Sequence, residues 1–316
     1  MERTMSTTTL GPAGGAVPGP CVAVGDDGSR HSDAPVRYAA SEASARRLPL
    51  LVLRLSVPAV DADRSVTAQL RDERVAVREA SEALDARVAA IRAAHPGTEV
   101  VQGLVVEGTG RLDDVLEDCS LLVLGSRSRR GPTVFRFGSP SQQLLHASSC
   151  PVVVVPEDEV SAGQGTGGVV AGIDGGRLTQ PVLRAAAQEA SLRGSALTVL
   201  HVYRTPEGGV PETVRATAEQ LCADQVRLAG LTQEDVAPRS LSCRLVDDDA
   251  DRALVRESAG AQLLVMGTRG TLALGNLTRG SISRAVLAAA VCPVMFVRRP
   301  VHARGTGEEA SATASR

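Results

Sequence analysis

The sequence predicts an α/β fold in which two tandem domains each contain an open parallel five-stranded sheet with helices on both faces. Short apolar runs alternate with longer segments rich in Ala, Arg and Glu, as strands alternate with crossover helices. Several runs are apolar at every position, which is typical of strands buried on both faces. The alternation occurs twice along the 316 residues, a length sufficient for two domains.

In the first copy, the segments follow one another in the order expected for strands joined by helices. Strands are predicted at residues 20–25, 50–57, 98–106, 120–124 and 151–155. Helices are predicted at residues 34–46, 63–94, 108–118 and 139–147. The second of these helices stops at His95-Pro96-Gly97, because proline and glycine break helices.

The second copy begins at Gly168 with the apolar run GVVAGI. Further strands are predicted at residues 196–203, 240–246, 263–266 and 293–297, and helices at 179–193, 211–228, 250–258 and from 281 onward. We therefore expect domains at residues 20–156 and 168–299, joined by an acidic, glycine-rich linker at 157–167. Residues 1–19 and 300–316 are expected to be disordered tails.

The duplication is clearest where the fourth strand of each copy enters a glycine loop. Residues 121–141 read LLVLGSRSRRGPTVFRFGSPS, and residues 263–283 read LLVMGTRGTLALGNLTRGSIS. Without a gap, the matching glycines and serines are Gly125 with Gly267, Gly138 with Gly280, Ser139 with Ser281, and Ser141 with Ser283. The register continues to the Cys-Pro pairs at Cys150 and Cys292, and it is broken at Ser128, where the second copy has Gly270.

A strand, a glycine loop and a helix start are the parts of a phosphate-binding site. Glycines let backbone N–H groups approach an anion, and the helix N-terminus adds hydroxyl donors and a partial positive charge. The candidate residues in the second copy are Gly267, Thr268, Arg269, Gly270, Gly280, Ser281, Ile282 and Ser283. Those in the first copy are Gly125, Ser126, Arg127, Ser128, Gly138, Ser139 and Ser141. The alternative is an ordinary loop capped by serine.

The G-x2-G-x9-G-[ST] spacing after a buried strand resembles the ATP-binding signature of universal stress proteins, and two copies resemble the tandem members of that family. The resemblance covers residues 20–156 and 167–298. It implies Rossmann-like domains with the strand order 3-2-1-4-5 and ATP as ligand, with Mg²⁺ possible alongside the nucleotide. In that order, strands one and four flank the topological switch point, where open sheets bind ligands.

A carboxylate follows the first strand of each copy, Asp27 in GDDGS and Asp174 in GIDGG. The resemblance implies that this position contacts adenine or ribose; the alternative is an Asp that forms a turn or caps a helix. Gly25 and Gly172, two residues earlier, would permit close ligand approach. The resemblance also implies an adenine contact by Val202, while the preceding His201 is expected to be a packed core histidine.

The first copy is expected to be the weaker site. A side chain at Ser128 can crowd the phosphates, and Pro140 removes a backbone N–H group just after Ser139. Arginines supply positive charge in the same loop, at Arg127, Arg129, Arg130 and Arg136.

Composition narrows the remaining classes of function. A net charge of −2 with three Phe, two Tyr and no Trp argues against nucleic acid as a partner. Lysine is absent, which excludes a Walker-type lysine and a Schiff base. The six cysteines form no C-x2-C pair and the five histidines have no metal spacing, so we expect free thiols and no metal site. No run suggests a signal peptide or a membrane span, and a reducing cytoplasm is expected.

Three functions fit these observations. The leading one is a non-catalytic ATP-binding module that responds to nucleotide in stress adaptation. The rivals are a slow ATPase or nucleotidyl transferase, for which the sequence offers no base, and a partner-binding scaffold with one degenerate site. The fifth strands are apolar edges, so we also expect them to pair in an intramolecular pseudo-dimer, with a homodimer possible.

Overall fold

The computed structural model describes residues 9–10, 19–56, 66–106, 112–126, 139–156, 167–231, 241–268 and 281–298. The strands are β1 (Thr9–Leu10), β2 (Cys21–Gly25), β3 (Leu50–Ser56), β4 (Val100–Val106), β5 (Cys119–Gly125), β6 (Val152–Val155), β7 (Val169–Ile173), β8 (Leu197–Tyr203), β9 (Leu241–Asp247), β10 (Leu263–Gly267) and β11 (Val294–Val297). The α-helices are α1 (Asp33–Arg46), α2 (Val66–Ala94), α3 (Leu112–Leu116), α4 (Ser139–Ala147), α5 (Thr179–Arg193), α6 (Pro211–Leu228), α7 (Ala250–Ser258) and α8 (Ser281–Ala289).

The strands form one 11-stranded sheet in the order β1-β4-β3-β2-β5-β6-β11-β10-β7-β8-β9. Within half one (β2 to β6) and within half two (β7 to β11), neighbouring strands are parallel. Each half has the order 3-2-1-4-5 when its strands are numbered along the chain. The predicted fold class is therefore confirmed, and the two sheets are joined into one.

The halves join where β6 and β11 pair antiparallel, with Val153 opposite Met295. This is the predicted pairing of the two fifth strands. All four residues of each strand are buried, because each sheet edge covers the other and removes the unpaired apolar edge.

The structure differs from the sequence-based expectation at the N-terminal tail. Thr9 and Leu10 pair antiparallel with Leu104 and Gly103 of β4, so part of the segment expected to be disordered extends the sheet. The pairing covers part of the outer edge of half one with a strand of only two residues.

Helices cover both faces of the sheet, and each face has its own apolar core. Val22 and Val24 of β2 belong to the core that also contains residues of α1, α2, α5 and α6, the helices that follow the first two strands of each half. Cys21 and Ala23 of the same strand face the opposite core, together with Leu144 of α4 and Leu254 of α7. Successive side chains of a strand point to opposite faces, so an unbroken apolar run supplies both cores. No helix within the described part of the chain is long and apolar enough to cross a membrane.

Candidate functional site

Each half has a candidate site at the switch point of its sheet, which we call the first crevice in half one and the second crevice in half two. The second crevice lies where the neighbouring strands β7, β8 and β10 end at one edge of the sheet. Gly172 of β7 pairs with Met266 of β10, and Ile173 pairs with His201 of β8. Continued past these pairs, the register places Asp174 level with Val202, one residue after Ile173 and His201, and level with Thr268, two residues after Met266. This is the topological switch point of half two, because the chain leaves β7 toward β8 on one side and reaches β10, on the other side, only later. The three predicted residues lie together there.

Close helix packing accounts for the glycines at this edge. A Cβ atom at Gly172 would lie 2.7 Å from Cδ2 of Leu254 on α7, and one at Gly267 would lie 2.9 Å from Cβ of Leu178, just before α5. A side chain at Gly267 would therefore clash even without a ligand, whereas one at Gly172 would require the end of the Leu254 side chain to move. Their contact with a nucleotide stays a prediction.

The helix that follows the second glycine loop begins at the predicted residues. Ser281 is exposed, Ser283 is buried, and Ile282 is half-buried against the core on the α7 side. The backbone N–H groups of the first turn of α8 and these hydroxyls form a set of donors suited to an anion. Arg269, Gly270 and Gly280 lie outside the described residues.

Asp174 forms a turn and is exposed. Its Oδ1 accepts a hydrogen bond from Gly176 N–H at 2.8 Å, as in the turn-forming alternative. The chain then enters α5 at Thr179, whose side-chain hydroxyl is buried and has no hydrogen-bond partner within the described residues. A carboxylate and an uncommitted hydroxyl thus lie at the two ends of this turn.

The first crevice has the same strand arrangement, but its carboxylate accepts more hydrogen bonds from the turn that follows it. The equivalent of Asp174 is Asp27, at the level of Leu55 and Ser126. Its Oδ1 accepts hydrogen bonds from Ser29 N–H at 2.9 Å, from Ser29 Oγ at 2.6 Å and from Ser32 Oγ at 2.6 Å. Ser32 is the equivalent of Thr179, so the hydroxyl that is uncommitted in the second copy is bound to the carboxylate in the first.

A buried ion pair beneath the first crevice was not predicted. Asp26 and Arg54 form a salt bridge with side chains 0% and 7% exposed, and Arg54 Nη1 also donates to Ala80 O at 3.1 Å. Arg87 of α2 adds a second guanidinium 3.6 Å from Asp26 and pairs with Asp33 at the start of α1. The second copy has Ile173 and His201 at the positions of Asp26 and Arg54, so the charged crevice floor is specific to the first copy.

The other predicted residues of the first copy lie around this crevice or outside the description. A Cβ atom added at Gly25 would lie 2.7 Å from Cδ1 of Leu144, and one added at Gly125 would lie 3.2 Å from Cγ of Pro35. Ser126 is buried, α4 begins at Ser139, and Ser141 is half-buried. Arg127, Ser128 and Gly138 lie outside the described residues, so the loop that distinguishes the two copies in sequence stays a prediction.

The histidine and the cysteines that the sequence raised as candidates lie in the surroundings expected of packing residues. His201 is buried, and its Nδ1 lies 3.2 Å from Ile173 O, as expected of a packed core histidine. All six cysteines are free thiols, although Cys21 Sγ and Cys119 Sγ approach to 3.2 Å on neighbouring strands. In the part of the chain that the structure describes, no group of three or more His, Cys, Asp or Glu could hold a metal ion.

Comparison with known proteins matches this chain on both halves. The model of the universal stress protein family matches residues 22–156 and 167–298. A universal stress protein of Mycolicibacterium smegmatis is 32% identical over 286 residues, covering 88% of this chain and 96% of that protein. One from Mycobacterium tuberculosis is 32% identical over 295 residues, covering 88% and 97%. The crystal structure of a universal stress protein from Archaeoglobus fulgidus, 19% identical, aligns with a TM-score of 0.62 over 88% of this chain and 98% of that one, and so shares the fold.

Proposed function

The chain belongs to the universal stress protein family, and from that premise we propose that its second crevice binds an adenine nucleotide, specifically ATP, without catalysing a reaction on it. The observation that carries the proposal is the parallel register of β7 with β8 and β10, which ends these strands side by side where Asp174, Val202 and Thr268 follow the last paired residues. The donors at the start of α8 suit phosphate oxygens, and the Asp174 carboxylate suits ribose hydroxyls. Mg²⁺ would bind in this crevice only together with the phosphate groups of the nucleotide.

The first crevice is proposed as the weaker site. Its Asp27 carboxylate already accepts three hydrogen bonds at Oδ1 from Ser29 and Ser32, which reduces the acceptor capacity left for a ribose. In the second copy the equivalent hydroxyl, Thr179, is buried and does not bind the Asp174 carboxylate in this way. Nucleotide would then act as a conformational ligand, because it stabilises whichever arrangement of the chain binds it more tightly.

Calorimetric titration of the full chain with ATP tests the proposal. We expect one dominant site, with Gly270→Asp lowering the ATP affinity at least about tenfold, which is ~1.4 kcal/mol. Ser128→Asp, the matched change in the first copy, should leave the dominant affinity within about twofold. Mass spectrometry of nucleotide extracted from the purified protein identifies the ligand.

Three outcomes separate the alternatives. Equal loss of binding in both variants contradicts the asymmetry of the two copies. Phosphate release that continues beyond one equivalent in the same samples supports the slow ATPase. No binding up to millimolar ATP, roughly −4 kcal/mol, leaves a scaffold that works through partner contacts. The free thiols support a reducing location such as the cytoplasm.

A further inference from the structure

Two cysteines lie side by side at the outer edge of half two. Cys222 lies on α6 and is fully buried, whereas Cys243 lies on β9, the last strand of the sheet, and is exposed. Leu241 and Leu245, two positions before and after Cys243, pack against the same core as Cys222. Residues two positions apart share one face of a strand, so Cys243 lies on the face of β9 that α6 covers. Its thiol forms a hydrogen bond with that of Cys222.

Half one shows that the fold does not require cysteines at this contact. Gln102 of β4 holds the place of Cys243, because each lies two residues after the first residue of its strand that pairs with the neighbouring strand. Gln102 Nε2 donates a hydrogen bond to Asp85 Oδ1 on α2 at 2.6 Å. An amide and a carboxylate thus join helix to edge strand in half one, where half two has two thiols.

The two thiols differ in their readiness to ionise. The hydrogen bond with Cys222 lowers the pKa of the Cys243 thiol to about 7 and raises that of Cys222. Near neutral pH, a large share of Cys243 is therefore thiolate, the form of cysteine that reacts with oxidants and electrophiles. Cys222 remains a protonated thiol in contact with it. Redox-sensitive cysteines are typically accessible, of low pKa and placed beside a second thiol that captures the oxidised sulfur.

A second pair of neighbouring thiols, in half one, provides the comparison. Cys21 Sγ and Cys119 Sγ are 3.2 Å apart, but these residues are only 1% and 7% exposed. An oxidant in solution has little access to either sulfur, and buried cysteines are generally inert. Exposure therefore distinguishes Cys243 from the other five cysteines, all of which are buried.

We propose that Cys243 is a site of oxidation by peroxides and that Cys222 then forms a reversible disulfide bond with it. The Cys243 thiolate attacks one oxygen of hydrogen peroxide, the O–O bond breaks, and a sulfenic acid forms. The departing hydroxide takes up the proton that Cys243 released on ionising. The Cys222 sulfur then attacks the Cys243 sulfur, the S–O bond breaks, and the hydroxyl group leaves with the Cys222 proton as water. Two thiols are oxidised while one peroxide is reduced to two waters.

The disulfide would be reversible and would lie close to the second crevice. A thiol or dithiol in solution can attack its exposed sulfur and release both cysteines by thiol–disulfide exchange. Leu221, the residue before Cys222, packs against the turn that follows Asp174, because a Cβ atom added at Gly175 would lie 3.0 Å from Leu221 Cδ1. Oxidation therefore fixes to β9 the helix that contacts this turn.

Peroxide treatment of the reduced full chain tests the proposal without any substitution. After brief exposure to hydrogen peroxide at neutral pH, the free thiols are alkylated with N-ethylmaleimide in denaturant and the peptides are mapped by mass spectrometry. We expect two of the six thiols to be lost to a disulfide between Cys222 and Cys243 of one chain, and dithiothreitol to restore them. A Cys222 that remains a free thiol, a disulfide between Cys21 and Cys119 in its place, or a Cys243 disulfide between two chains overturns the proposal.

Two variants assign the role of each thiol. Cys222→Ser keeps a hydroxyl that can donate to the Cys243 thiolate but cannot form a disulfide, so only Cys243 should be modified and dimedone should trap its sulfenic acid. The matched control, Cys119→Ala, removes one thiol of the buried pair and should form the Cys222–Cys243 disulfide to the same extent as the unaltered protein. An unmodified Cys243 in the first variant, or loss of the disulfide in the second, contradicts the assignment. If circular dichroism shows that a variant does not fold, the map of the unaltered protein decides.

Discussion

At the scale of single residues, the described parts of the two crevices differ in the buried Asp26–Arg54 pair, which only the first copy has. Replacing Asp26 by Asn leaves the buried guanidinium of Arg54 without its ion-pair partner. We expect a loss of about 3–5 kcal/mol in the free energy of unfolding of half one, because a buried charge without a partner is costly. Urea unfolding, followed by hydrogen exchange resolved to each half, measures this loss.

The chain supplies the matched control for that substitution. Asp26→Ile with Arg54→His copies the residues Ile173 and His201 found at the same positions of half two. Replacing a whole buried ion pair by packed, less polar groups is often close to neutral, so the double variant should cost less than about 2 kcal/mol. A double variant as unstable as Asp26→Asn would show that the loss comes from local packing and not from the unpaired charge.

The positions of residues in the fold were predictable from the sequence only where they depend on neighbours along the chain. Gly267, Ser281 and Ser283 follow from a strand, a loop and a helix start that are contiguous. Asp26 and Arg54 are 28 positions apart, and the only signal was one arginine within the apolar run LLVLRLS. The second copy, with His201 at the equivalent place, shows that the fold does not require the charge.

At the scale of elements, the contact between α6 and β9 brings together two thiols of different exposure. Cys222 on α6 is fully buried, and Cys243 on β9 is exposed. A hydrogen bond with Cys222 lowers the pKa of the Cys243 thiol to about 7 and raises that of Cys222. A lowered pKa means more thiolate at neutral pH, and the thiolate is the nucleophile.

Alkylation of Cys243 by iodoacetamide should therefore reach half its maximal rate near pH 7, the value given by the lowered pKa. Cys222→Ala removes the hydrogen bond and should move that midpoint up toward about 8.5, the value for a free thiol. Peptide mapping identifies the modified residue. An unaltered protein whose midpoint already lies at ~8.5 would contradict the hydrogen bond as the cause.

Element bounds were predicted best where helices have clear start and stop signals. The predicted ranges 179–193, 211–228 and 250–258 are those observed for α5, α6 and α7. The helix predicted at 108–118 ends at Leu116, two residues earlier than predicted, while residues 108–111 lie outside the described part of the chain. Strand β1 escaped prediction because two residues carry no periodicity and their partner β4 lies nearly a hundred residues away.

At the scale of the whole molecule, the sequence indicated which edges would meet but not what holds the helices beside them. The apolar runs PVVVV and PVMFV marked β6 and β11 as edges that need a cover. Between α1 and α5, four buried side chains form a closed ring of ion pairs, Glu42, Arg46, Glu189 and Arg193. The sequence did not reveal this ring, because a glutamate and an arginine four positions apart are also typical of a solvated helix face. Only the pairing of the halves makes that face an interior.

The β6–β11 junction yields the last prediction, Val153→Asp. Val153 is 0% exposed and lies at the centre of the junction opposite Met295. A carboxylate there must be buried among apolar side chains or drive the strands apart, at a cost of at least about 3 kcal/mol. Ser120→Asp, on the neighbouring strand β5 and exposed, is the matched control and should cost less than about 0.5 kcal/mol.

If the junction holds the halves together, Val153→Asp should separate them while each half keeps its own sheet and helices. Far-ultraviolet circular dichroism should then change little, while binding of a hydrophobic dye rises because β6 and β11 become exposed edges. Hydrogen exchange should speed up at Val152–Val155 and Val294–Val297 and remain slow at Leu50–Ser56, which β2 and β5 separate from the junction. Faster exchange throughout β3 as well would mean that half one unfolds as a whole, and that the junction is required for the half to fold at all.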